Sequence, residues 1–264
     1  MILTLNDVAK ASKLISSESP KLGAHVYLNN DDAKLKYSYL LIESGKLGLN
    51  KDSLVLEVGA GDGHISRLLA RKYGCKVEAV DIVRRRYVLD RPPRSSGIPR
   101  RLVGNLRRWI WALNKVHYIV GNCSEFLKSQ QSEKYDLIID GCSVIHFHET
   151  SVSDQNDYLT NLMLDYSNIH RILKESGIFI TATDIAVSGS SPEKSVLLLK
   201  EDELQGALTK VGFELISTGE SKSETVLGRE FVVDVLNHPY LRVKLDSDKK
   251  PYLVGVSGLT ARKS

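Results

Sequence analysis

The sequence predicts a doubly wound α/β protein, a mostly parallel sheet with helices on both faces. Three observations carry that expectation. From Leu54 onward, short runs rich in Val, Ile and Leu alternate with stretches of helical spacing. The first run, LVLEV, leads straight into three closely spaced glycines, Gly59, Gly61 and Gly63. Near the end, REFVVDVLNH and YLVGVSGLTAR follow one another without a helix between them, so they are expected to pair antiparallel.

In order, the pattern gives strands at 54–59, 76–81, 116–120, 135–140 and 177–183, and helices near 64–73, 123–130, 155–174 and 200–211. Gly177 is expected to end the third of these helices. Ahead of the sheet, NDVAKASKLI and AKLKYSYLLIESGKLG have helical spacing, the second ending at Gly45 or Gly48. The predicted organisation is an N-terminal helical cap over 1–49 and an α/β domain over 50–264, with no internal repeat. An apolar share of 42% beside 26% charged residues is ordinary for a soluble globular chain. No stretch approaches the roughly 18 apolar residues of a membrane span. MILTLNDVAKASKLISS, interrupted by Asp7 and Lys10, lacks the apolar core of a signal peptide, so the expected compartment is the cytoplasm. The three cysteines have no C-x-x-C spacing, which argues against a disulfide framework or a zinc site, and no metal is expected.

The chemistry begins at LVLEVGAGDG. Glycines there allow a tight turn and the close approach of a ligand. Asp81, at the end of the next run KVEAVD, faces that turn, where an acid accepts from two ribose hydroxyls. A nucleoside cofactor follows. A dinucleotide does not, because the third glycine comes one position early, His64 takes the sixth place, and Glu57 would bring negative charge towards a pyrophosphate. A cationic ligand suits Glu57. In the E-x-G-x-G form and the acidic second strand end, the chain resembles the class I S-adenosylmethionine-dependent methyltransferases. The resemblance, extending over about residues 50 to 264, implies a Rossmann-like seven-stranded sheet, parallel with an antiparallel C-terminal hairpin, and S-adenosyl-L-methionine as cofactor. It also implies that Gly59 and Gly61 lie against the methionine part and that Asp81 holds the ribose. Asn122 stands where family members carry an acid for the adenine amino group, or it caps a helix. Ile82 and Cys123, with Glu57, complete the implied cofactor-binding set.

The fourth strand, YDLIID, runs into GCSVIHFHE. By the same resemblance this strand end borders the reacting methyl group, and His146 matches a histidine found in members that act on small molecules. An imidazole with a reference pKa of about 6.5 suits deprotonation of a hydroxyl, and Asp140 could orient it. The alternative is a loop histidine with a structural hydrogen bond. His148 and Glu149 with Asp140 make only a weak metal signal, and Cys142 reads as small packing. DGCS lacks the prolines and aromatic of the N/D-P-P-Y or F segment, which counts against methylation of DNA amino groups. Tyr27, Tyr37 and Tyr39 are candidates for the acceptor pocket in the N-terminal cap, or for plain packing.

Residues 82 to 118 hold ten Arg or Lys against one acid, a balance of +9 that leaves −5 for the rest of the chain. The excess forms a basic insertion at about 83–115. DRPPRSSGIPRR opens it as a loop, and RRLVGNLRRWIWALNK has one apolar stripe on a helix. Arg84, Arg85, Arg86, Arg107 and Arg108 are then either solvated or contacts for an anionic acceptor, RNA or an anionic membrane surface, the last adding a peripheral attachment to the cytoplasmic expectation. The leading functional expectation is O-methylation of a small-molecule or glycan-type acceptor. The alternatives are an RNA or other nucleic-acid methyltransferase using the basic insertion, and a non-catalytic partner protein that keeps the fold. Oligomeric state is not readable from the sequence.

Overall fold

The computed structural model describes residues 31–61, 63–82, 115–148, 155–188, 199–220, 242–245 and 251–264, together with Lys13. Chain order is α1 (Asp31–Ser44), β1 (Leu54–Val58), α2 (His64–Tyr73), β2 (Lys76–Asp81), β3 (Val116–Val120), α3 (Cys123–Ser129), β4 (Tyr135–Asp140), a 3-10 turn (Val144–His146), α4 (Gln155–Ile172), β5 (Leu173–Ser188), α5 (Glu201–Lys210), β6 (Phe213–Glu220), β7 (Arg242–Leu245) and β8 (Pro251–Lys263).

The strands form one sheet in the order β3-β2-β1-β4-β5-β8-β6, with β7 as a short eighth strand beside β8. β1 to β5 are parallel, and β8 runs antiparallel between β5 on one side and β6 and β7 on the other. β1 and β4 are buried almost throughout instead of alternating, as parallel strands covered on both faces must be. One core packs α3, α4 and α5 through Leu127, Leu162, Tyr166, Ile169, Leu204 and Leu208. The other packs α1 and α2 through Tyr39, Leu40, Ile65, Leu68 and Leu69. α2 shows why its sequence is helical: Ile65, Leu68 and Leu69 share one stripe, Arg71 and Lys72 lie in the last turn, and Gly74 ends it at φ 72° with its N–H on Ala70 O. Truncating a fully buried residue such as Leu69 to Ala costs about 2–5 kcal/mol.

One expectation changes. β5 begins at Leu173, directly after α4, and the left-handed residue there is Ser176 at φ 59°, not Gly177. Gly177 is required for space instead, since a Cβ would lie 2.8 Å from Lys174 O. The last strand pairs antiparallel with β5, β6 and β7, and REFVVDVLNH lies outside the described residues. In the N-terminal region α1 ends at Ser44, directly before Gly45, and NDVAKASKLI, Lys13 apart, lies outside the described residues.

The sheet reverses its winding between β1 and β4, and the crevice outside their carboxyl ends is the place where open α/β sheets bind ligands. Both chemical stretches of the sequence end there.

Candidate functional site

β1 delivers the glycine turn. Gly59 and Gly61 have φ of 62° and 53°, a region that disfavours any residue with a Cβ. At Gly59 a Cβ would overlap the Ser143 side chain, whose hydroxyl donates to Gly59 O at 3.0 Å. At Gly61 a Cβ would meet none of the described residues within 4 Å. Glu57 turns inward. Its carboxylate accepts from the Ser66 N–H at 2.8 Å and from the Ser66 hydroxyl, tying β1 to the start of α2. Burial pushes its pKa up to about 7, with the Ser66 bonds and Arg67 opposing.

β2 and β3 supply the neighbouring wall. Asp81 accepts the Gly61 N–H at 2.7 Å, so its carboxylate lies against the glycine turn. Ile82 is 67% exposed, and Val120, which stands opposite Asp81 in register, is 55% exposed. Asn122 caps α3, its side-chain oxygen accepting from the Glu125 N–H at 3.1 Å. Cys123 is buried, and desolvation pushes its thiol up to about 12, which excludes a thiolate at neutral pH. Together, a carboxylate beside a glycine cradle and two exposed aliphatic residues fit the ribose and flat base of a nucleoside.

The β4 tip is organised by Asp140. Fully buried, it accepts from the Ser143 N–H at 2.6 Å, the Val144 N–H at 3.2 Å and the Thr181 hydroxyl at 2.8 Å. Burial raises its pKa, and these donors oppose the rise. Its oxygens hold the 3-10 turn that ends in His146, and the charge of His146 is among the influences that oppose the rise. His146 ends that turn, exposed, with Nε2 3.7 Å from Cys142 Sγ. Cys142 adopts φ 74°, and its sulfur also receives the Asp184 N–H at 3.4 Å and the Thr183 hydroxyl at 3.5 Å.

α1 closes the crevice on the side of α2. Tyr37 lies over the β4 tip, its ring edge 3.5 Å from where a Cβ on Gly141 would stand. Tyr39 belongs to the core: its hydroxyl pairs with the Thr260 hydroxyl at 2.9 Å, and its ring fills the space a Gly258 side chain would need. Lys36 pairs with Asp184 at 2.8 Å, both nearly buried. Desolvation lowers the Lys36 pKa, but the charges of Cys142 and Asp184 outweigh it and leave it raised. His148 bonds the buried Asp165 at 2.6 Å, which also takes the Ser124 hydroxyl at 2.6 Å. Among the described residues no group of three or more His, Cys, Asp or Glu is arranged to hold a metal ion. Sequence reasoning missed Lys36–Asp184 and His148–Asp165 because each joins elements distant in sequence with no spacing signature. Tyr27, Glu149, Arg84, Arg85, Arg86, Arg107 and Arg108 lie outside the described residues. No helix among the described residues is long and apolar enough to cross a membrane.

No family model matches the chain. The solved structures do. The 1,6-didemethyltoxoflavin-N1-methyltransferase of Burkholderia thailandensis, solved with bound S-adenosylhomocysteine, superposes with a TM-score of 0.51 at 17% identity over 100% of this chain and 92% of that one. The chain has the class I methyltransferase fold. A [4+2]-cyclase, SpnF, superposes with a TM-score of 0.54 at 15% identity, covering 86% of this chain and 81% of that one, so the fold alone does not name a reaction. In sequence, the chain is 39% identical over 72 residues to the sarcosine/dimethylglycine N-methyltransferase of Halorhodospira halochloris. That methyltransferase match covers 25% of this chain and spans only 26% of the relative's length.

Proposed function

We propose that the protein is an S-adenosylmethionine-dependent methyltransferase acting on a small-molecule acceptor held between α1 and the tips of β4 and β5. The observation that carries the reading is the Asp81 carboxylate bonded to the Gly61 N–H in a left-handed glycine turn where no described residue crowds Gly61. Asp81 would hold the ribose, Ile82 and Val120 the base, and Gly61 the sulfur-bearing arm. Bound there, the cofactor supplies an electrophilic methyl on a sulfonium. The chain's task is then alignment of an acceptor lone pair in line with that methyl, with water kept out. Tyr37 and the β4 tip provide walls for this, and His146 is the exposed group able to take a proton from an acceptor hydroxyl.

Oxygen is the acceptor atom that gives His146 a role. Nitrogen is the second reading, favoured by a relative and a structural neighbour both named for N-methylation. A neutral amine carries its own lone pair and has less need of a base. Titration calorimetry tests the cofactor reading. Wild type should bind S-adenosylmethionine and S-adenosylhomocysteine but not NAD, and Asp81→Ala should lose about 1.5–3 kcal/mol of that affinity. Equal affinity in the mutant would remove Asp81 from the site. Mass-spectrometric detection of methyl transfer to pools of hydroxyl, amine and RNA acceptors separates the remaining readings.

A further inference from the structure

We propose that Lys36 binds a carboxylate of the acceptor, so that the molecule receiving the methyl is a small acid; this names the acceptor class for the reading above and rests on it. Lys36, on α1, reaches Asp184 of β5, with Nζ 2.8 Å from Oδ1. Asp184 lies beyond Thr181, where β5 stops pairing with β4, so the ion pair stands past the end of β4. The Lys36 ammonium also bonds the Cys142 thiol, which follows the β4 tip. On its other side, Cys142 Sγ is 3.7 Å from His146 Nε2. Lys36 and His146 therefore flank one atom, at the tips where the acceptor is to be held. The Lys36 and Asp184 side chains are 12% and 11% exposed, so the pair is withdrawn from bulk water without being sealed from the crevice.

The bonding of Lys36 says which chemistry it suits. An ammonium has three donors and no acceptor. Among the described residues it meets one strong partner, the Asp184 carboxylate, and one weak partner, a sulfur. The same sulfur already receives the Asp184 N–H at 3.4 Å and the Thr183 hydroxyl at 3.5 Å. Several donors thus converge on one poor acceptor, and an anionic oxygen would offer Lys36 a stronger bond than sulfur does. Burial alone would push the Lys36 pKa down, but Cys142 and Asp184 hold it above the ordinary lysine value, so the ammonium stays charged at working pH. The charge balance then selects the anion. Lys36 and Asp184 sum to zero, the sulfonium of a bound cofactor adds one positive charge, and a single carboxylate restores neutrality in the crevice. A phosphate dianion would leave an excess beside Asp184. A nearly buried ion pair contributes little net stability, because desolvation offsets its attraction, and this fits a pair kept for recognition.

The test measures binding of 4-hydroxybenzoate, 4-aminobenzoate and lactate, each beside its carboxamide, to protein saturated with S-adenosylhomocysteine, by ligand-observed NMR. Wild type should bind at least one acid about 10- to 100-fold more tightly than its amide, the scale of a hydrogen bond to a charged group. Lys36→Met should bring that acid down to the level of its amide and leave S-adenosylhomocysteine affinity unchanged. Lys36→Arg keeps the charge and should keep the preference. Lys36→Met leaves Asp184 unpaired in a nearly buried place, so the double variant Lys36→Met with Asp184→Asn, which removes both charges, serves if the single variant fails to fold. It too should lose the preference. No acid preference in wild type, or a preference that survives in the Met variants, overturns the inference, while S-adenosylhomocysteine binding keeps the cofactor reading standing. Wild type that does not bind S-adenosylhomocysteine overturns both.

Discussion

Two strands of the same sheet end in an aspartate, and the two aspartates do opposite things. KVEAVD places Asp81 against the glycine turn, partly exposed, with its carboxylate on the Gly61 N–H. YDLIID places Asp140 in a fully buried position, where three donors from the β4 tip and β5 consume it. Both look alike as an apolar run closed by an acid. What separates them is the backbone that follows. At Gly61 no described residue would meet a Cβ within 4 Å, whereas after β4 the chain turns back in a 3-10 turn whose N–H groups must be satisfied somewhere. Asp81 thus bonds the glycine turn, and Asp140 makes the platform on which His146 stands.

The sharpest break of that comparison is Asp140→Ala. It strands the Ser143 and Val144 N–H groups and the Thr181 hydroxyl in a buried place, and should cost roughly 4 kcal/mol of unfolding free energy. Urea denaturation should show this loss, whereas Asp81→Ala should leave the midpoint near wild type and act on cofactor affinity. Similar losses for the two variants would mean that Asp81, too, is structural.

Glu57 gives the next effect, and it falls on pH dependence. Burial raises its folded-state pKa to about 7 from an ordinary 4.5, so the folded protein keeps a proton that the unfolded chain gives up between those values. With fewer protons bound by the unfolded chain, stability falls as pH rises through the window 4.5 to 7, by on the order of 3 kcal/mol, and is level in this group's contribution outside it. Glu57→Gln should remove that slope while its amide oxygen still accepts from Ser66. Parallel stability–pH curves for wild type and Glu57→Gln would refute the shift.

The fold was legible because its signals are local and repeated. Strand runs buried on both faces, Gly74 ending α2 and the antiparallel last strand all follow from residue type and order. The cofactor end was legible for a related reason: Gly59 and Gly61 both take a left-handed φ that favours glycine, Gly59 has no room for a Cβ as well, and they fall within five residues of β1. The β4 tip was less so. Whether Asp140 faces a ligand or its own turn depends on Thr181 and Ser143, and the sequence does not say that these converge. Gly177 illustrates the limit on a small scale: a glycine after a helix suggests a left-handed cap, yet here Ser176 takes the positive φ and Gly177 avoids Lys174 O.

His146 should produce the smallest change in the fold. It is exposed at the end of the 3-10 turn, and its own backbone N–H bonds Ser143 O at 2.9 Å, a contact that alanine retains. Its Nε2 shares a hydrogen bond of 3.7 Å with Cys142 Sγ, and sulfur is a weak partner. His146→Ala should therefore shift unfolding free energy by no more than about 0.5 kcal/mol and leave S-adenosylhomocysteine affinity unchanged. If the acceptor is a hydroxyl, turnover should fall by about 10² and the acid limb of the rate profile, set by protonation of the base, should disappear. If it is a neutral amine, the same variant should retain most of its turnover, because no proton has to leave before the methyl is received. Equal turnover against both acceptor classes would reduce His146 to a loop residue. The comparison of the two strand ends would then stand with Asp81 as a ligand contact and with the β4 tip as scaffold alone.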